Sequence, residues 1–333
     1  MGTVEKINID KGFIDKKVDP SVDVVSEIKR MCREKNAVIL AHYYQESQIQ
    51  DIADFVGDSL DLSRRAAETD ADIILFAGVH FMAETAKILS PHKKILIPDM
   101  GAGCSLADSC PPDAFADFKK QYPGYTVISY VNTTAEIKAM TDIACTSTNA
   151  VQIVNSLPED EKIIFAPDKN LGNYIKSKTG RENMVVWEGA CHVHEAFSLD
   201  RILELKKEYR DAKIIAHPEC ERPVRLVADH IGSTSSLLKF TQSDNADTFI
   251  VATESGILHQ MRLASPQKNF IAAPPDDATC ACSDCNFMKM ITLNKMYNTI
   301  KYELPEVKME PELIEKAKGS IVRMLEISDK LGL

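Results

Sequence analysis

AVILAHYYQ, residues 37–45, runs through five consecutive apolar positions and then turns polar at His42. The run lacks the alternation of a half-exposed strand, so it reads as a strand buried on both faces. The same design returns as YTVISYVN at 125–132 and as AKIIAHPE at 212–219. His42, Tyr130 and His217 stand at one register of the three runs, at intervals of 130 − 42 = 88 and 217 − 130 = 87. A second motif follows each run after the same step, since Ser59, Ser147 and Thr234 all lie 17 residues beyond those markers. Cys104 and Cys191 are again 87 apart. An ordered set of equal spacings is the mark of an internal triplication.

Within each repeat, short apolar runs such as VILA, IILFA and KILI alternate with longer helix-like stretches. That alternation predicts βαβ units and parallel sheets covered by helices. The expected fold is α/β, with three homologous three-layer αβα domains. Their limits are expected at residues 22–108, 109–195 and 196–290, with a helical extension over 291–333 that packs back. Ligands of open α/β sheets bind outside the C-terminal strand ends, and the polar run ends fall there. If the three units pack in a pseudo-threefold arrangement, those edges face one central site; a linear array would carry the same repeat.

Composition narrows the function. The 333 residues carry a net charge of −10, which disfavours broad nucleic-acid binding or attachment to an anionic membrane. The polar N-terminal stretch has no secretory pattern, and no run of ~18 apolar residues offers a membrane span. A cytoplasmic location is therefore expected. The nine cysteines are odd in number, which speaks for thiolate ligands or catalytic thiols over a disulfide framework. Cys104 and Cys191 each end a repeat, and the third repeat ends in Cys280, Cys282 and Cys285. One thiolate from each unit, brought to one point, suits zinc or an iron–sulfur cluster. The third ligand stays open: Cys104 is 62 residues past His42 and Cys191 is 61 past Tyr130, a step that favours Cys280, whereas Cys285 is 68 past His217. A small zinc site or a redox-sensitive disulfide is the other reading of the last three cysteines. Cys32, Cys110, Cys145 and Cys220 are expected to be inert.

The run ends supply the remaining chemistry. His42 and His217 can hold carboxylates or move protons, Glu219 can act as a general base, and Tyr44, Tyr130 and Asn132 offer hydrogen-bond groups. Ser59, Ser147 and Thr234 precede helix-like stretches and read as N-caps, at helix ends that also attract anions. Gly101, Gly103 and Gly189 are expected to let the backbone approach a bulky cofactor. His92, His230 and Glu84 read as surface or helix residues, and Trp187 as packing.

AHYYQ, FAGVHFMAETAKIL, PDMGAGCSLAD, CTSTNA, WEGACHVHE, HPEC, GSTS and ATESGILHQM together resemble quinolinate synthase, over about Ala37 to Leu293. The resemblance implies three α/β domains around a [4Fe–4S] cluster held by Cys104, Cys191 and, before NFMKMIT, Cys285. It implies the substrates iminoaspartate and dihydroxyacetone phosphate, condensed to quinolinate with loss of phosphate and water. His42, Ser59, Tyr130, Asn132, Ser147, His217, Glu219 and Thr234 would contact substrate, and Glu219, Tyr44 and His217 would carry catalysis. It also implies functional coupling to an L-aspartate-oxidising enzyme. A cluster-dependent hydro-lyase of a hydroxy-acid is the alternative activity.

Overall fold

The computed structural model describes residues 7–276 and 283–333. Twelve strands among them form three parallel four-stranded sheets flanked by helices. The first sheet contains β1 (Ala37–His42), β2 (Phe55–Gly57), β3 (Ile73–Ala77) and β4 (Lys94–Leu96), in the order β2-β1-β3-β4. The second contains β5 (Thr126–Tyr130), β6 (Ile143–Cys145), β7 (Ile163–Ala166) and β8 (Met184–Val186), in the order β6-β5-β7-β8. The third contains β9 (Lys213–Ala216), β10 (His230–Ile231), β11 (Thr248–Ala252) and β12 (Asn269–Ala272), in the order β10-β9-β11-β12. Three identical strand orders express the triplication directly, and the fold is the expected α/β class. The chain divides into two compact units, Met1–Cys104 with Asn286–Ile314 and Ser105–Cys285 with Glu315–Leu333. The first unit holds the first sheet, and the second unit holds the other two.

A device absent from the sequence reading fixes the first two strands of each sheet. Asp54, Asp142 and Asp229 accept the backbone N–H of Ile39, Val127 and Ile214, each at 2.8 Å. Their own N–H groups donate back to the carbonyls of those same residues at 3.0, 3.0 and 2.7 Å. The carboxylate thus closes a backbone donor just before the second strand starts, where an unpaired buried N–H would be costly. The central strands are apolar on both faces: β3 and β7 are buried throughout.

Capping differs in detail from expectation. Asp58 caps the helix Ser59–Glu68 by accepting from Leu60 and Asp61 N–H, and Ser233 caps Thr234–Ser243 by accepting from Ser236 N–H. Ser59 and Thr234 are therefore the first helical residues, one place beyond the caps. In the first unit, the helix Val24–Glu34 packs on Leu293–Tyr302. In the second, Ser320 Oγ donates to Lys138 O at 3.1 Å, and Asn149 Nδ2 donates to Ser328 Oγ at 2.9 Å. Among the described residues, no helix is long and apolar enough to cross a membrane.

Candidate active site

Each repeat presents its cysteine in the same local frame. His80 N–H donates to Ala102 O at 2.7 Å, Lys169 N–H to Gly189 O at 2.8 Å, and Ser255 N–H to Ser283 O at 3.1 Å. The acceptors lie two residues before Cys104, Cys191 and Cys285, and the donors lie three residues past the ends of β3, β7 and β11. A single helical turn begins directly after each cysteine: Ser105–Asp108, His192–Glu195 and Asn286–Lys289. All three cysteines are partly buried. Cys285 is held further by Glu254, a buried residue whose Oε1 accepts its N–H at 3.1 Å and whose Oε2 accepts Gly256 N–H at 2.7 Å. Cys191 and Cys285 pack against one apolar cluster that includes Val193, Phe197 and Ala273. Cys280 and Cys282 lie outside the described residues.

In the second unit, the polar run ends meet in a buried cluster. Tyr130 OH donates to Glu219 Oε1 at 2.7 Å. His194 Nδ1 lies 3.2 Å from Glu219 Oε2, and His217 Nδ1 lies 3.5 Å from Oε1. The two imidazoles stack at 4.6 Å. His217 Nε2 is 3.2 Å from Ser147 Oγ, and His194 Nε2 is 3.0 Å from Thr253 Oγ1. Glu219 N–H donates to His217 Nδ1 at 3.3 Å, so in the neutral ring the proton belongs on Nε2, facing Ser147. Burial alone would push the Glu219 carboxyl upward, but His194, His217 and the Tyr130 hydroxyl outweigh it and hold the group well below the usual carboxylate range. Asp168 goes the other way: burial, then the charge of Glu219, raises its carboxyl well above that range. Asp168 Oδ1 accepts Leu171 N–H at 2.7 Å, while Oδ2 is buried without a hydrogen-bond partner among the described residues. Asn132 Oδ1 is likewise buried and unpartnered there. Thr234 is buried at the start of its helix.

In the first unit, His42 repeats the His217 arrangement: Tyr44 N–H donates to His42 Nδ1 at 3.1 Å, and the two rings meet edge-on at 4.5 Å. Lys289 Nζ donates to Tyr44 O at 3.0 Å. Ser59 Oγ belongs to the first residue of its helix, and Ser59 O accepts Ser63 Oγ–H at 2.6 Å.

Gly189 and Gly101 both have close protein neighbours. A Cβ on Gly189 would come within 2.2 Å of Ser109 Oγ and 2.5 Å of Pro167 O, and one on Gly101 within 3.0 Å of Met290 Cε. Gly189 is therefore required by the packing of the chain on itself, whereas the atom nearest Gly101 is the flexible end of a methionine side chain. His230 is also more than a surface residue, since its ring stacks on Phe240 at 4.3 Å and its Nε2 pairs with Ser236 Oγ at 3.0 Å. Burial drives the thiols of Cys32 and Cys110 up to about 12 and those of Cys145 and Cys220 higher still, in keeping with inert cysteines. The sequence reading does not single out His194, Asp168 or Glu254. His194 sits in the WEGACHVHE stretch beside Cys191, and Asp168 and Glu254 occupy one register, two residues past β7 and β11; that register was the available signal.

Cys191, His194 and Glu219 each offer a donor atom within 4.8 Å of the others, near enough to hold a metal ion. Parallel sheets with buried imidazoles, carboxyls and thiols at their C-terminal strand ends define an α/β enzyme with metal-binding capacity. The chain matches the family described as quinolinate synthetase A protein (NadA) over residues 26–326. It is 59% identical to a quinolinate synthase of Thermosynechococcus vestitus over 92% of this chain and 96% of that one. It is 56% identical to a quinolinate synthase of a Synechococcus species over 93% and 97% of the two chains. With a quinolinate synthase of Chloroherpeton thalassium it shares 54% identity over 92% and 95%. The chain belongs to the quinolinate synthetase A protein family and is an enzyme of that class.

Proposed function

We propose that this enzyme condenses iminoaspartate with dihydroxyacetone phosphate to form quinolinate, releasing phosphate and water, and that Cys104, Cys191 and Cys285 hold a [4Fe–4S] cluster. The observation that carries the reading is the thrice-repeated loop in which the donor past the third strand binds the carbonyl two residues before the cysteine. It favours Cys285 over Cys280 as the third ligand, because Cys285 shares the frame of the other two. The donor set fits: three partly buried thiols are soft ligands, and three cysteines leave one iron of such a cluster open. When bound, the cluster supplies a Lewis acid for carboxylate and hydroxyl oxygens.

The protein's own groups divide the remaining work. His42, Ser59, Ser147, His217 and Thr234 hold substrate oxygens. Asn132 Oδ1, buried and unpartnered, offers an acceptor to a substrate N–H or O–H; such an atom costs about 1–3 kcal/mol when left unsatisfied. The Glu219 carboxylate, buried beside His194, His217 and the Tyr130 hydroxyl, is the candidate general base. It also orients Tyr130, whose hydroxyl donates to Oε1 at 2.7 Å. Glu219, His217 and Tyr44 are then the groups that move protons during enolisation of the triose phosphate. Three α/β domains span residues 22–108, 109–195 and 196–290, and a helical extension spans 291–333. The reactive imine substrate is supplied by two-electron oxidation of L-aspartate, which motivates coupling to an enzyme of that kind, in the cytoplasm.

Anaerobic purification with iron and sulfide analysis, followed by assay for quinolinate, tests this reading. About four irons and four sulfides per chain are expected for a cubane cluster. One metal without sulfide would favour a single ion at Cys191, His194 and Glu219, the reading their 4.8 Å grouping supports.

A further inference from the structure

A cavity of about 410 Å³ opens in the second unit, with Ser147, Thr148, Gln152, Lys178, Ser233 and Lys239 in its lining. Ser147 links it to the polar cluster, because Ser147 Oγ is 3.2 Å from His217 Nε2. The two lysines come from different helices, Lys169–Thr179 and Thr234–Ser243, yet border one space. No carboxylate lines the cavity among the described residues, although the whole chain carries −10. Lys178 Nζ also lies 5.5 Å from the centroid of the Tyr174 ring, another lining residue, which steadies the ammonium at the rim.

We infer that this cavity is an access site for small dianions of the phosphate-ester class, and that Lys178 and Lys239 draw them toward Ser147 and His217. The choice of a phosphate ester rests on the proposed reaction. The physics is independent of it. Two hydrated ammonium groups over a hydroxyl-rich pocket create a local positive field in an acidic protein, and such a field raises the local concentration and capture rate of anions. Both lysines are exposed, so the attraction is sensitive to salt.

The test uses the cluster-loaded enzyme with inorganic phosphate as probe, followed by ³¹P NMR titration, together with the KM for dihydroxyacetone phosphate. Lys178→Glu and Lys239→Glu should each weaken phosphate binding about tenfold at low salt, and the difference should shrink between about 20 and about 300 mM salt. Lys178→Arg and Lys239→Arg should stay within about twofold of the parent. The KM should follow the phosphate affinity while kcat holds. Phosphate binding as tight in the double Glu variant as in the parent, or no binding by the parent, overturns the inference. The titration needs no turnover. A parent that binds phosphate through both lysines but makes no quinolinate would remove the proposed reaction and keep the access site. Quinolinate formation with lysine-independent phosphate binding would do the reverse.

Discussion

Replacing Glu219 with glutamine keeps the side chain's shape and removes its charge. Tyr130 OH, 2.7 Å from Oε1, keeps an acceptor but loses a charged one. A net hydrogen bond of about 1.5–3 kcal/mol to a charged group becomes one of about 0.5–1.5 kcal/mol. The contact of Oε2 with His194 Nδ1 at 3.2 Å weakens as well. Asp168 offsets part of this, because the charge that helped raise its carboxyl is gone. The net cost near neutral pH is about 2 kcal/mol, and if the same contacts hold the reacting groups, about thirtyfold in kcat/KM. The sign with pH follows from the shift. The Glu219 carboxyl is held below its ordinary value of 4.5, so its stabilisation is fully present above that value and is lost as pH falls below it. Urea unfolding of parent and Glu219→Gln should therefore differ near pH 7 and converge in acid, beside anaerobic kcat/KM measurements. Equal stability at neutral pH, or a gap that widens toward acid, would refute the assignment of a charged, orienting Glu219.

The other expected outcomes concern the repeated frame. Cys104→Ser, Cys191→Ser and Cys285→Ser should each abolish the brown absorbance and the activity, whereas Cys280→Ser and Cys282→Ser should keep both; visible spectra and turnover check this. Asp54→Ala, Asp142→Ala and Asp229→Ala should each cost about 1.5–3 kcal/mol in denaturant titrations, with similar values because each removes the same 2.8 Å bond. Gly189→Ala should cost about 1–3 kcal/mol and lower iron content, since its Cβ meets Pro167 O at 2.5 Å and the loop must shift beside Cys191.

Much of the site was legible because the repeat places chemistry at fixed registers. Tyr130, Ser147, His217 and Glu219 all came from run ends or the 17-residue step, and the structure joins them in one buried network. His194 was not legible, because it lies outside every apolar run and enters the network only when the turn after Cys191 folds onto the third sheet's edge. The caps lie one residue before Ser59 and Thr234, since the cap is set by where the backbone leaves the extended region at Asp58 and Ser233. A glycine shows in sequence only that a side chain is absent; what occupies the space beside Gly189 is decided by chain segments far away.

The amino-acid sequence by itself determined the class of fold, the triplication and the chemical character of the strand ends, because strand burial and repeat spacing are local patterns written along the chain. Nine cysteines stood there with two rival third ligands. Tertiary structure alone gave Cys285 the frame of Cys104 and Cys191, set the opposite ionisation of Glu219 and Asp168, and gathered two lysines at one cavity. Each of those depends on distances between groups remote in sequence, and on burial, which strengthens charge interactions by removing water.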